Sequence, residues 1–136
     1  MKSKKYKEIF KLKRMLEKEN IPFEWVECFG YPEDDIKKLR KIAPDISEHY
    51  QICYPCKDDG KRWISVIEGF GTYGSEQDRL EIMGGFTPWE EYDYDDRVIG
   101  YLTANNVFKR IKRNYEERNM WYEKENHSNR RGYSWN

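Results

Sequence analysis

Two β-rich runs joined by a tight turn constrain this chain more than any other feature. The runs cover residues 48–54 and 62–68, and Asp59-Gly60 lies between them. Asp-Gly between two such runs is a strong hairpin signal, because both residues tolerate the positive φ angles of tight hairpin turns. The sequence therefore predicts an antiparallel hairpin against which the other elements must pack.

Two further strands and two amphipathic helices complete the predicted fold. Short apolar runs predict a strand over residues 21–27 and another over 98–102. Helical spacing predicts an N-terminal helix over residues 4–19 and a long C-terminal helix that begins after Thr103. We expect an α+β fold in which a small antiparallel sheet of three or four strands packs against these two helices.

Helix start and stop signals predict three shorter helices. Over residues 33–41, acidic residues precede basic ones, as the helix dipole favours. Ser75 can cap a two-turn helix over residues 76–83, which Gly84-Gly85 would end. Thr87-Pro88-Trp89-Glu90 carries the start signal of a third helix.

Chain length and hydropathy indicate a single domain that does not enter a membrane. The chain has 136 residues, close to the commonest domain size. We place the domain at residues 1–126 and a mobile tail at 127–136, where hydrophobic periodicity is lost. No apolar run of about 18 residues is present, so we expect no membrane span. Three cysteines without a secretory context predict free thiols in the cytoplasm.

A glycine-rich stretch over residues 69–75 is the candidate ligand site. It fits the pattern G-x-G-x-x-G, whose backbone N–H groups can approach a phosphate closely. The preceding strand belongs to a hairpin rather than to a βαβ unit, so a glycine turn that only redirects the chain is the alternative. The residues predicted to bind a nucleotide are Gly69, Gly71, Tyr73, Gly74 and Ser75, assisted by Arg62 and Arg97.

The C-x-x-C motif of Cys53 and Cys56 is a weak metal signal. Cys28 and His49 could complete a Cys₃His zinc site. One such motif without a second pair more often reflects buried or incidental thiols, so we expect no bound metal and no cofactor. A redox role would require a thioredoxin-like unit, which the hairpin prediction does not provide.

An acidic and aromatic segment over residues 89–96 is the candidate protein interface. Large rings are typical interface anchors, and acidic charge directs the encounter with a basic partner. A solvated loop whose rings cover the core is the alternative. The segment consists of Trp89, Glu90, Glu91, Tyr92, Asp93, Tyr94, Asp95 and Asp96.

The net charge of zero is distributed unevenly along the chain. Residues 1–20 carry a net charge of +5, residues 21–100 carry −9 and residues 101–136 carry +4. Two basic helices against an acidic body explain this pattern, and Lys109-Arg110-Lys112-Arg113 is then a solvated face. Nucleic-acid-binding domains usually carry net positive charge, so we do not expect nucleic acid as a general partner.

The sequence contains no catalytic constellation, and we therefore predict that the protein is not an enzyme. It has two histidines, of which His127 lies in the predicted tail. His49 has no carboxylate or nucleophile at a spacing that would indicate catalysis.

Three motifs, at residues 71–77, 80–87 and 100–111, resemble small proteins encoded by phages and prophages of Firmicutes. The order of a helix, an Ile-Pro-Phe-Glu strand and a hairpin before these motifs is similar as well. This chain has Thr72 where those proteins have serine, and its segment over residues 31–45 is longer. The resemblance implies a setting inside a bacterial host cell, without an activity or functional residues to transfer.

In that setting, we predict a non-enzymatic, phage-encoded binding protein that inhibits a host defence system by binding a host protein. The first alternative is a small-molecule module that sequesters a phosphorylated or cyclic nucleotide signal at residues 69–75. The second is a phage regulator associated with DNA. The sequence leaves open whether the protein forms a homo-oligomer.

Overall fold

Two helices cover one face of a five-stranded antiparallel sheet. The computed structural model describes residues 6–27, 32–42, 48–69, 72–93 and 98–130. In chain order, the elements are α1 (Lys7–Lys18), β1 (Glu24–Glu27), α2 (Glu33–Ile42), β2 (His49–Tyr54), β3 (Ile64–Gly69), a 3₁₀ turn (Ser75–Gln77), β4 (Leu80–Gly84), α3 (Pro88–Asp93), β5 (Val98–Leu102) and α4 (Ala104–Arg130). The strands lie in the order β1-β2-β3-β4-β5, so each strand pairs with its neighbours in the sequence.

The core lies between the sheet and the helices α1 and α4. One row of cross-strand neighbours runs across all five strands and consists of Trp25, Ile52, Val66, Ile82 and Ile99. The buried helical residues that complete this core are Ile9, Leu12 and Leu16 of α1 and Ala104, Val107 and Ile111 of α4. Burial of one Leu or Ile side chain stabilises a fold by about 1.5–3 kcal/mol, so this cluster is the main source of stability.

The hairpin and the start of α4 are as the sequence predicted, but Asp59 and Gly60 do not adopt the positive φ angles of a tight turn, and nine residues connect the two strands. Strands β2 and β3 pair from His49 opposite Gly69 to Tyr54 opposite Ile64. Asp58 closes their connection, because its carboxylate accepts the Gly60 N–H at 2.9 Å and its carbonyl accepts the Lys61 N–H at 2.9 Å. At the start of α4, the Thr103 hydroxyl accepts the Asn106 N–H at 3.2 Å, as expected of an N-cap.

Residues 76–83 do not form the two-turn helix that the start signal predicted. After the short 3₁₀ turn the chain enters β4, in which Leu80 and Ile82 are fully buried on the core face. Leu80 and Ile82 alternate with more polar residues, and this alternation fits a half-buried strand. Pairing of β4 with strands on both sides therefore outweighed the local signal for a helix start. Gly84 and Gly85, with φ angles of 82° and 66°, follow the strand rather than a helix. This additional strand raises the number from the three or four predicted to five.

Strand β5 contains an irregularity in its pairing with β4. Leu80 pairs with Leu102, whereas Ile82 pairs with Ile99, so β5 has one residue more than β4 between these pairs. Tyr101 lies within this bulge at a φ of 61°. Bulges of this kind bend a strand and increase its local twist.

Helix α4 extends beyond the boundary that the sequence predicted for the domain. It continues to Arg130, so residues 127–130 belong to the helix, and its 27 residues correspond to a length of about 40 Å. Residues 131–136 lie outside the described part of the chain, and the mobility of the tail stays a prediction. No helix among the described residues is long and apolar enough to cross a membrane.

Two carboxylates from distant parts of the chain cap α1 and α4. Asp78, which lies just before β4, accepts the backbone N–H groups of Lys7 at 3.1 Å and Glu8 at 3.3 Å. Glu8 in turn accepts the backbone N–H of Ala104, at the start of α4, at 2.7 Å. The first N–H groups of a helix have no partner within it and carry partial positive charge, so carboxylates stabilise them. These contacts join the β3–β4 connection, α1 and α4.

Removal of the Asp78 carboxylate should destabilise the fold. Asp78→Ala loses the cap on α1 and places alanine at a φ of 54°, a left-handed conformation that Asp and Asn adopt more readily. We expect the free energy of unfolding, measured by urea denaturation, to fall by about 1–2 kcal/mol. Asp78→Asn keeps an oxygen acceptor and tolerates this φ, so its loss should be smaller. An unchanged urea midpoint for Asp78→Ala would contradict the capping role.

Candidate functional site

In the described part of the glycine loop, which lacks residues 70 and 71, several backbone N–H groups are bonded within the protein. The Tyr73 N–H donates to the Glu81 carboxylate at 2.8 Å, and the Ser75 N–H donates to the Thr72 carbonyl at 3.2 Å. The Gly69 N–H donates to the Thr72 hydroxyl at 3.1 Å. A carboxylate beside these groups opposes the approach of a phosphate, so the contacts favour a turn that redirects the chain. Nucleotide binding at this loop stays a prediction.

Close packing explains the glycines of this region. A Cβ on Gly69 would overlap the ring of His49, and one on Gly100 would overlap the Cβ of Tyr73. Gly74 has a φ of 95°, a conformation that residues with a side chain rarely adopt. The described part of the loop is therefore packed against the neighbouring strands, and Gly69 and Gly74 each have a structural reason to be glycine.

Arg62 lies far from the glycine loop that it was predicted to assist. It precedes β3 and Gly69 ends β3, so about 20 Å of extended chain separates them. Its guanidinium pairs with Asp59 at 2.8 Å and contacts the Cys53 thiol. Gly71 and Arg97 lie outside the described residues.

The weak zinc set is not brought together in the described part of the chain. His49 and Cys53 stand four positions apart on β2, which separates their Cα atoms by about 13 Å. Ligands of one zinc ion bond to it at about 2 Å, so these two side chains lie too far apart. Cys28 lies outside the described residues, and within them no three residues could hold a metal ion.

Both described cysteines are free thiols with different surroundings. Cys53 is buried on β2, whereas Cys56 is partly exposed in the hairpin connection. Burial raises the pKa of the Cys53 thiol above its ordinary value, although the neighbouring Arg62 guanidinium acts in the opposite direction. A thiol with a raised pKa is a poor nucleophile at neutral pH, which favours a structural role for Cys53.

Helix α3 carries the described part of the acidic and aromatic segment. Its predicted capping box is present, because the Thr87 N–H donates to the Glu90 carboxylate at 2.8 Å and the Glu90 N–H donates to the Thr87 hydroxyl at 3.4 Å. Trp89 is 77% exposed, so its ring is not part of the core. The side chains of residues 91–93 and all of residues 94–97 lie outside the described part of the chain. Their place in an interface stays a prediction.

Glu90 is held by Arg110 of α4. Two guanidinium nitrogens of Arg110 contact the two carboxylate oxygens at 2.5 and 2.7 Å, and Arg110 also donates to the Gly85 carbonyl at 3.2 Å. The hydrogen bonds from Arg110 hold the pKa of Glu90 down at about 2, although partial burial acts to raise it. Bidentate pairs of this kind fix the relative orientation of the two side chains, so Arg110 holds α3 against α4. We call this ion pair of Glu90 and Arg110 the clamp. One of the five predicted interface carboxylates therefore already has a partner within the protein.

A groove runs along α4 beside this clamp, and we call it the α4 groove. Trp63 and Phe86, which pack partly against the core, form one side together with Gly85, Thr87 and Pro88. The residues of α4 that form the other side are Asn106, Lys109, Arg110, Arg113, Asn114 and Glu117. The groove has a volume of about 530 Å³. A second cavity of about 530 Å³ adjoins it at Asn114 and Glu117, between Tyr54 and Arg118.

Sequence analysis missed the α4 groove because its two sides come from distant segments. Trp63 follows the hairpin turn and Phe86 precedes α3, so no spacing rule relates them to α4. The basic run of α4 is visible in the sequence, but its pattern fits a solvated face equally well. The helical spacing of Lys109 and Arg113 placed these charges on one side of α4, and this was the only available signal.

Comparisons with known proteins provide no independent indication of function. No protein-family model, curated protein or solved structure matches the chain. The candidate sites therefore depend on the chemistry of the chain's own residues.

Acid should weaken the clamp between α3 and α4. The pKa of Glu90 is about 2 in the folded protein against an ordinary value of 4.5, so its stabilising contribution is complete above about pH 4.5 and is lost as the pH falls toward 2. At neutral pH, Glu90→Gln should lower the free energy of unfolding by about 1–3 kcal/mol, because glutamine preserves the capping box but not the ion pair. Urea denaturation should show the difference from wild type shrinking as the pH falls from about 5 to about 3. A constant difference over this range would contradict the role of the ion pair.

Proposed function

We propose that this protein is a non-enzymatic binding protein and that α3 presents its contact surface to a partner protein. The observation that carries the proposal is the exposure of Trp89, which is 77% accessible to solvent. Its helix, α3, is held against α4 by the ion pair of Glu90 and Arg110. Tryptophan is among the residues most enriched at interface hot spots, because its ring buries a large apolar area on association. An anchor of this kind requires a partner with a matching apolar pocket.

The clamp beneath α3 supports this role by fixing the helix in advance. A helix of six residues is not stable on its own, but the capping box and Arg110 hold it in place. A contact that is already in its bound conformation loses less entropy on association. In this proposal, Glu90 is a positioning residue rather than a contact residue.

The remaining acidic residues of the segment favour a partner with a basic surface. Glu91, Asp93, Asp95 and Asp96 accompany Trp89 in the sequence. Opposite charges on the partner would orient the encounter over about 8 Å, the screening length at physiological ionic strength. Trp89 would then determine the lifetime of the complex, and the carboxylates would determine how fast it forms.

The partner that we propose is a host defence protein in the cytoplasm of a bacterium. The resemblance to phage and prophage proteins supports this setting. Proteins that act on nucleic acids present basic surfaces, which an acidic segment with an exposed ring could cover. Inhibition by covering such a surface requires no catalysis.

Replacement of Trp89 should shorten the lifetime of the complex. Capture from a host lysate on immobilised wild-type protein, followed by mass spectrometry, identifies the partner, and biolayer interferometry with the purified partner measures both rates. Trp89→Ala should raise the dissociation rate by about thirtyfold or more, which corresponds to about 2 kcal/mol. Conversion of Glu91, Asp93, Asp95 and Asp96 to their amides should instead slow association and flatten its salt dependence. Glu90 is retained in this variant because its replacement would loosen α3.

Met120→Ala provides a matched control for the loss of an exposed apolar side chain. Met120 is 69% exposed on α4 and lies outside the segment, so this variant should bind as the wild type does. All variants should retain the wild-type urea midpoint. If Trp89→Ala binds the captured protein as tightly as the wild type, the proposed contact surface is wrong. If the complex forms but expression of the protein does not restore phage plating on a defended host, the defence role is wrong.

A further inference from the structure

The α4 groove is lined mainly by hydrogen-bond donors. The Asn106 carbonyl oxygen accepts the Nε–H of Arg110 at 2.7 Å, and since a guanidinium only donates, the NH₂ group of Asn106 remains for a ligand. The Asn114 carbonyl oxygen accepts the Tyr54 hydroxyl at 2.9 Å, which leaves the NH₂ group of Asn114 as well. Lys109 adds an ammonium group, which has only donors. The groove therefore suits a ligand that is rich in acceptors.

The groove is also positively charged once its internal pairs are taken into account. The charge of Arg110 is neutralised by Glu90. Arg113 contacts Glu117 at 3.3 Å, but both side chains are largely exposed, so an anionic ligand can displace this pair at little cost. Lys109 forms no ion pair with any residue in the described part of the chain. Because Glu117 also lines the groove, the net positive charge that a ligand meets on α4 is the single charge of Lys109.

The opposite side of the groove is aromatic and fixed. Trp63 and Phe86 pack partly against the core, and the ring of Trp63 meets the ring of Tyr54 edge-on, with 6.1 Å between centroids. Aromatic side chains that are held in place favour planar ligands, because such ligands stack on them without ordering a flexible chain. The groove therefore combines a stacking surface with a cationic, donor-rich wall.

We infer that the α4 groove binds a nucleoside phosphate, a ligand in which a planar base is joined to an acceptor-rich anion. The base would lie against Trp63 and Phe86, and the phosphate would lie against Lys109 and Arg113. The volume of about 530 Å³ lies within the range of roughly 300–1,000 Å³ that is usual for small-molecule sites. This site goes beyond the proposed protein contact, since Pro88 at the start of α3 lines the groove but Trp89 does not. Free nucleotides and single-stranded nucleic acids share this chemistry.

Isothermal titration calorimetry with the 136-residue protein tests this inference. The titrants are linear and cyclic mono- and dinucleotides of each base and short single-stranded oligonucleotides, with the corresponding nucleosides and inorganic phosphate for comparison. At least one nucleotide should bind about tenfold or more tightly than its nucleoside or phosphate, because both halves of the ligand contribute. Tighter binding of the oligonucleotides would identify a strand as the source of the ligand, and tighter binding of a nucleotide would identify a free metabolite.

Single substitutions separate the two halves of the site. Lys109→Ala and Arg113→Ala should each weaken nucleotide binding about tenfold to a hundredfold and leave nucleoside binding unchanged. Phe86→Leu should weaken both ligands about fivefold to a hundredfold, because it removes a stacking surface. Lys112→Ala is the matched control, since Lys112 lies on the same helix, pairs with Glu19 at 3.2 Å and does not line the groove. It should bind as the wild type does.

An NMR titration keeps the test independent of any loss of stability in these variants. In the wild-type protein, the ligand should shift the side-chain NH₂ resonances of Asn106 and Asn114. Failure of every nucleotide and oligonucleotide to bind at millimolar concentration would overturn the inference. So would phosphate binding as tightly as any nucleotide, or folded Lys109→Ala and Arg113→Ala variants that retain wild-type affinity.

Discussion

The capping of helix ends by distant carboxylates holds the parts of this structure in their relative positions. Asp78 reaches the start of α1 across 71 residues of sequence, and Glu8 reaches the start of α4 across 96 residues. Each contact satisfies an N–H group that helix geometry leaves without a partner. Because Glu8 lies in the first turn of α1, a displacement of α1 would also withdraw the carboxylate from α4. The two helices that cover the sheet are thus linked by hydrogen bonds as well as by their shared core.

Arg110 connects the two surfaces to which we assign binding. Its guanidinium holds Glu90 and the Gly85 carbonyl, which positions α3, and its Nε–H holds Asn106, which orients an amide toward the α4 groove. A side chain that makes all of these contacts is restricted to one conformation. Any movement of Arg110 would therefore change the position of Trp89 and the donors of the groove together.

The sequence predicted those elements in which the local turn and helix signals agree with the packing and strand pairing of the whole fold. The turn after β2 and the capping box of Thr87 and Glu90 are examples, because the residues that produce each signal lie within a few positions of one another. Over residues 76–83 the two disagreed, and pairing of β4 with strands on both sides prevailed over a local helix signal. Asp78, which lies within this predicted helix, caps α1 instead. Spacing rules contain no information about such contacts between elements, and this is also why the α4 groove was missed.

The sheet is open, and the form of its two edge strands has a consequence for solubility. Strand β1 has only four residues, and the opposite edge, β5, is interrupted by the bulge at Tyr101. A long, flat edge exposes N–H and C=O groups that can template pairing with another chain, whereas short or bent edges do not. Intermolecular strand addition, the first step toward fibrous aggregates, is therefore disfavoured at both ends of the sheet. The protein can expose an apolar ring such as Trp89 to a partner without its backbone promoting self-association.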